Sequence, residues 1–143
     1  PDVIRRSELA DKAGWFETDP ATLQHPRYPE IFAAGDVCGT SNAKTAAAAR
    51  KQVVVVADNL IALRQGRALP KRYDGYGSCP LTVEKGKVIL AEFGYGGKLL
   101  PTFPMDPTVP RQSAWFLKAT LLPWFYWQGM LKGREWFTDC KPD

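Results

Sequence analysis

Ile31-Phe32-Ala33-Ala34-Gly35-Asp36-Val37, followed by Thr45-Ala46-Ala47-Ala48-Ala49-Arg50-Lys51-Gln52, is the stretch on which the fold turns. An apolar run ends in Gly-Asp and an alanine-rich segment comes soon after. The order predicts a short buried strand over 31–34 that delivers one carboxylate to a ligand. A helix then begins near 42–45 and turns its unpaired N–H groups toward the same place. Gly35 lets the backbone approach a ligand closely. Asp36 can accept hydrogen bonds from sugar or polyol hydroxyls, or it can simply close a tight turn.

Working outward, 42–65 is the clearest helix, stopping at Gly66. Val53-Val54-Val55-Val56 gives it a broad apolar surface, which predicts cover on more than one side. Residues 7–13 predict a short helix capped by Ser7. Residues 70–76 read as a linker. A hairpin follows, with strands 81–84 and 88–93 around Lys85-Gly86-Lys87. The prolines of 100–110 predict extended, irregular chain. Residues 112–137 are helical in character and heavily aromatic, with Pro123 and Gly129 dividing them into two short pieces.

Composition narrows the functional classes. The 143 residues suffice for one hydrophobic core, and 45% apolar content argues against disorder. Lys+Arg 19 against Asp+Glu 15 leaves +4, without the dense basic block of a nucleic-acid binder. The lone histidine, His25, excludes a histidine-based metal cluster and reads as a surface residue of a proline-rich loop. Cys38, Cys79 and Cys140 make neither a disulfide framework nor a CxxC pair. Cys38 reads as structural and Cys140 as exposed. The opening Pro-Asp-Val-Ile leads to the expectation of a piece of a larger protein.

Trp115, Trp124, Trp127 and Trp136 crowd the final segment. Its uncharged run, 119–131, is shorter than the ~20 residues a bilayer-crossing helix needs. Arg111, Lys118, Lys132 and Arg134 flank it, with Glu135 the acid among them. Amphipathic rings beside cations suit the headgroup layer, so the segment predicts a monotopic anchor on a bilayer surface. The interface residues are then Trp115, Trp124, Tyr126, Trp127, Lys132 and Trp136. A core or subunit-contact helix pair is the competing reading.

Residues 28–39, 41–52, 73–83 and 110–136 carry a family likeness. Ala34-Gly35-Asp36-Val37, taken with Tyr76-Gly77-Ser78-Cys79-Pro80-Leu81 and the aromatic tail, resembles the C-terminal part of a sulfide:quinone oxidoreductase. That family lies among the two-dinucleotide-fold flavoproteins. The resemblance implies an α/β fold, or mixed α+β for the fragment alone. It implies the C-terminal part of a two-Rossmann-domain FAD/NAD(P)-binding protein, with a hairpin and short amphipathic helices. The portions are 1–69 (end of the FAD-binding domain), 70–110 (redox-cysteine turn and hairpin) and 111–143 (membrane-interface helices).

The resemblance also implies residue roles. Gly35 and Asp36 would contact FAD, with Asp36 on the ribityl chain. Lys44, Thr45 and Ala46 would face the flavin ring. Phe93, Tyr95, Phe116 and Trp124 are candidates for the wall of a quinone pocket. On residues alone, a cysteine before an apolar strand is a small buried hydrophobe. The resemblance instead makes Cys79 one of a redox pair, its partner in a preceding portion. Sulfide would become persulfide or polysulfide sulfur bound for an acceptor, and electrons would pass through FAD to a membrane quinone.

The alternatives are a type II NADH:quinone oxidoreductase-like protein, a flavocytochrome sulfide dehydrogenase-like protein, and a membrane-binding or assembly module without chemistry. The implied setting is peripheral, on a bacterial plasma membrane or a mitochondrial inner membrane, and a homo-oligomer is compatible with it. No Gly-x-Gly-x-x-Gly loop occurs, so the fragment alone is expected to hold FAD weakly and to be inactive.

Overall fold

The structure, a computed structural model, describes residues 1–104, 106–134 and 136–140. Its centre is one long helix. Thr45 ends the preceding loop in an extended conformation, and its hydroxyl accepts the Ala48 N–H at 3.1 Å. That cap starts α2 (Ala46–Arg64), and Gly66 ends it with φ +66°. A four-residue helix, α1 (Asp2–Arg5), precedes it. Ser7 does not cap a helix over 7–13. Its hydroxyl donates to the Ile4 carbonyl at 2.8 Å and so closes α1 from behind.

α2 buries one stripe: Ala48, Lys51, Gln52, Val55, Asn59 and Ala62. This spacing is that of a single helical face. The expected cover on several sides is corrected, because Val53, Leu60 and Ile61 are exposed. The valine run divides between faces, with Val55 1% exposed and Val53 57% exposed.

The expected strand at 31–34 is also corrected. Phe32 makes one isolated antiparallel bridge to Gln24, and Cys38 one isolated parallel bridge to Phe16. Among the described residues the sheet consists of one antiparallel pair, β1 (Gly77–Glu84) with β2 (Lys87–Phe93). The fold is therefore a small mixed α+β assembly, and the described residues show no Rossmann-type topology. Cys79 pairs with Ala91 and Pro80 with Leu90, so the cysteine stands on a strand rather than in a turn. The ladder slips between Thr82 and Glu84, where the strands close on Gly86.

Two clusters form the core. Leu23, Ala48, Val55, Tyr73, Tyr76 and Leu100 pack around α2, and Phe16, Ala33 and Cys38 form a second group near the chain start. Tyr73 and Tyr76 belong to the first, so 70–76 is a structural wall and not a linker. His25, expected at the surface, is 1% exposed. Its Nδ1 accepts the N–H groups of Arg27 and Tyr28 at 3.1 and 3.2 Å, and its ring packs edge-on to Phe16.

The aromatic segment runs through α3 (Gln112–Phe116), a π-helical turn (Leu117–Leu121) and α4 (Leu122–Gln128), then a 3-10 turn (Met130–Lys132). Pro123 was expected to divide it. The backbone instead stays helical by widening just ahead of the proline, which has no N–H to donate and whose ring crowds the preceding turn. Gly129 does end the helix. Its amide donates to the Phe125 carbonyl at 2.8 Å, and a Cβ there would meet the Phe125 ring at 2.7 Å. Of the 111–143 segment, Glu135 and 141–143 lie outside the described residues.

Val55→Ala should lower unfolding free energy by about 2 kcal/mol in urea titrations, since it empties a filled core position. Val53→Ala, one turn-face away, should stay within about 0.5 kcal/mol of wild type.

Candidate functional site

The site candidates gather where three pieces of irregular chain meet the start of α2. Gly35 adopts φ +81°, and its amide donates to Gln52 Oε1 at 2.7 Å. The Cys38 amide then closes the turn on the Gly35 carbonyl at 3.3 Å. Asp36 sits at the exposed tip. A helix side chain therefore fixes this turn, where a strand ladder was expected to do so.

Lys44 holds the next stretch. Its Nζ donates to the carbonyls of Cys38 at 2.6 Å and Thr40 at 2.8 Å, and it lies 5.6 Å from the Trp15 ring centre. Burial lowers its pKa, with Cys38 and Asp36 opposing that shift. The ammonium is thus committed to folding the 38–44 loop, and its charge remains beside the Asp36 turn. Burial also raises the Cys38 thiol pKa, partly offset by Lys44. The Thr40 hydroxyl donates to Asn42 Oδ1 at 2.6 Å within the same loop.

Thr45 joins this loop to the hairpin. Besides capping α2, its Oγ1 takes the Ser78 N–H at 3.4 Å, and Gly77 packs against Ala43. The Gly35–Asp36 turn, Lys44, Thr45, the exposed Ala46 and the entry to β1 thus form one neighbourhood. Cys79 lies one residue past Ser78.

The cysteine expectation needs correction. Cys38, Cys79 and Cys140 are all free, and no cysteine pair stands at disulfide distance. Cys38 is buried in the Phe16 cluster, Cys79 is half-buried on β1, and Cys140 packs against the α2 cluster. Three separate environments keep them apart, so sulfide oxidation through a pair that includes Cys79 has no support in the structure. Cys140, expected to be exposed, is half-buried, and burial raises its thiol pKa.

The residues expected at a quinone wall stand on four different elements. Phe93 is half-buried against Gly77. Tyr95 donates its hydroxyl to the Pro20 carbonyl at 2.7 Å and packs edge-on to Tyr73. Phe116 and Trp124 are exposed on the helical segment, as are Tyr126, Trp127, Lys132 and Trp136, while Trp115 is half-buried. Lys118 ties this segment to β1 through the Pro80 carbonyl at 2.9 Å and Thr82 Oγ1 at 2.7 Å.

Several polar residues with structural work were not foreseen. Asn59, fully buried, donates to the Thr22 and Lys71 carbonyls and accepts the Lys71 N–H. Lys51 forms a buried ion pair with Asp74 at 3.5 Å and lies 4.2 Å from the Tyr76 ring centre. Glu92, also buried, accepts the hydroxyls of Tyr76 and Thr102 and the Thr102 N–H. The available signal was Lys51, Gln52 and Asn59 falling on the same face of α2 as Ala48, Val55 and Ala62.

No family profile matches the chain. It is 42% identical over 133 residues to the mitochondrial sulfide:quinone oxidoreductase of Mus musculus, covering 93% of this chain and 30% of the relative. The protein of that name from Dictyostelium discoideum is 44% identical over 136 residues, covering 94% and 30%. That from Schizosaccharomyces pombe is 38% identical over 141 residues, covering 95% and 31%. The chain shares family-level homology with sulfide:quinone oxidoreductases. It spans about 30% of the length of these curated relatives. Among solved structures, a chain in the Tetrahymena thermophila mitochondrial ATP synthase F1Fo composite tetramer aligns with TM-score 0.68 at 25% identity. That match covers 94% of this chain and 30% of the other.

Thr45→Ala should cost about 1 kcal/mol of stability by losing the helix cap, and Thr45→Ser should restore it. Tyr76 supplies a pH test. Burial and then its bond to Glu92 raise its phenol from the ordinary 10.0, pushing it up to about 12. Burial raises Tyr73 and Tyr95 as well. A raised acid favours the neutral form in the fold, so its stabilisation is complete below pH ~10 and is lost as pH climbs toward 12. Denaturant midpoints should fall across that window, and Tyr76→Phe should flatten the slope.

Proposed function

We propose that this chain is the C-terminal portion of a flavoprotein that oxidises sulfide and delivers electrons to a membrane quinone. The carrying observation is the 38–44% identity to sulfide:quinone oxidoreductases over nearly the whole chain. The divisions at 69 and 110 are kept as part of this reading. No cysteine pair enters it.

The Asp36 neighbourhood fits one edge of FAD. Asp36 presents an exposed acceptor for ligand hydroxyls, and Gly35 keeps the backbone open beside it, with nothing within 4 Å of a built Cβ. Below the turn, Gln52 Nε2 is buried with no hydrogen-bond partner among the described residues. Ala46 and Ala47 bring the unpaired N–H groups of a 19-residue helix to the same place. Such a terminus favours negative charge, and Lys44 adds to that field while bracing the loop. FAD, when bound, supplies the two-electron carrier chemistry. The residues of this chain bind, orient and polarise.

The helical segment supports the acceptor side. No helix among the described residues is long and apolar enough to cross a membrane. Trp124, Tyr126, Trp127, Leu121, Leu122 and Leu131 are nonetheless exposed along it. Rings and leucines displayed beside Lys118, Lys132 and Arg134 suit insertion to headgroup depth. Phe116 and Trp124 are the residues we assign to the entry of a lipid-soluble quinone, with Phe93 toward the hairpin.

Anaerobic titration of the full-length protein separates the enzyme readings. Sulfide should bleach the flavin and NADH should not; bleaching by NADH alone would reject the sulfide assignment. Asp36→Ala should lower the flavin-to-protein absorbance ratio at least severalfold, and an unchanged ratio would remove Asp36 from the site. Trp124→Ser with Trp127→Ser should shift the protein from the vesicle pellet to the supernatant.

A further inference from the structure

Residues 136–140 lie across the first turns of α2. Arg50 reaches out from the helix with both terminal nitrogens. Nη1 donates to the Trp136 carbonyl at 2.6 Å and Nη2 to the Phe137 carbonyl at 2.9 Å. The same guanidinium lies 5.4 Å from the Phe125 ring centre of α4, and Phe125 stacks on Trp136 at 5.6 Å and 18°. The next residue of α2, Lys51, donates to the Asp139 carbonyl at 2.9 Å. Thr138 is buried, and Cys140 packs against the core.

Phe137 occupies the left-handed region, with φ +57°. A bulky L residue avoids that region and persists there only when its surroundings enforce it. The two carbonyls that Arg50 holds are those of Phe137 and the residue before it. The planar fork of arginine suits two acceptors at once, which a lysine ammonium matches poorly. The backbone bend places Phe137 outward, 74% exposed, while Trp136 turns back onto Phe125.

We propose that Arg50 is a positioning residue: it latches 136–140 as a strap in a strained conformation and, through the Phe125–Trp136 stack, sets the attitude of α4 to α2. The proposal rests on the membrane reading in one respect, that α4 is the lipid-facing element. The latch then couples the depth and angle of α4 to the helix whose first turn carries the cofactor-side groups.

The test is hydrogen exchange of 136–140 in the intact protein, without lipid, for wild type, Arg50→Ala, Arg50→Lys and Arg50→Ala with Phe137→Gly. Loss of two charge-assisted bonds should speed exchange of the strap about tenfold in Arg50→Ala, with α2 protection retained. Lysine should restore little of it. Glycine at 137 should restore much of it, because glycine takes positive φ without strain. Unchanged strap exchange in Arg50→Ala, or full rescue by lysine, overturns the latch. Vesicles of phosphatidylcholine and phosphatidylglycerol with brominated acyl chains then read the consequence. The tryptophan quenching-depth profile should shift in Arg50→Ala, and an identical profile overturns the positioning role. Wild type that fails to bind these vesicles rejects the membrane reading and leaves the exchange result standing.

Discussion

Irregular backbone that is buried must still find hydrogen-bond partners, and here side chains of α2 supply them. Residues 19–45 and 66–76 pass over the core with little sheet pairing. Gln52 takes the Gly35 amide, and Asn59 binds Thr22 and Lys71 together, copying with one amide group what a neighbouring strand would do. Arg50 and Lys51 perform the same service for 136–139. Three distant stretches of chain are therefore registered against one helix. Loss of one of these polar side chains leaves the backbone groups of the segment that it holds without their partner.

This arrangement explains what sequence could and could not disclose. α2 and its Gly66 stop were legible because propensity and glycine stops are local, while its start was placed as early as 42 and the Thr45 cap was not singled out. The hairpin was legible because a glycine turn sits between two β-rich runs. The turn at 35–38 was misread as a strand end because Ile31-Phe32-Ala33-Ala34 has a strand's composition without a strand beside it. Its real support, Gln52, lies 17 residues away and is invisible to periodicity. The cysteine-pair mechanism failed for a related reason. A cysteine's chemistry is a property of its neighbours; Cys79 is half-buried on β1 opposite Ala91, and all three thiols are free.

The candidate site was legible as a set of residues and not as a geometry. Asp36, Lys44, Thr45 and Ala46 were expected as one cluster; Lys44 lies within electrostatic reach of Asp36, and Thr45 and Ala46 stand at the start of α2. Lys44 was foreseen as pointing at a ligand, but its three acceptors belong to its own loop, at Cys38 and Thr40. Tyr95 similarly spends its hydroxyl on Pro20. Aromatic and charged residues near a site are hard to divide by sequence into those that face the ligand and those that brace the wall, because both duties ask for the same side chains.

The π-helical turn at Leu117–Leu121 has a further consequence. A wide turn accommodates one residue more than an ordinary helical turn over the same rise, and each residue accounts for about 100° of rotation. The turn is therefore a phase adjuster between two faces. Upstream, Ala114 is buried on α3, which packs against β2; downstream, Trp124 and Trp127 are exposed. Removing a single residue there would leave a regular helix whose aromatic face had swung by about a quarter-turn relative to α3.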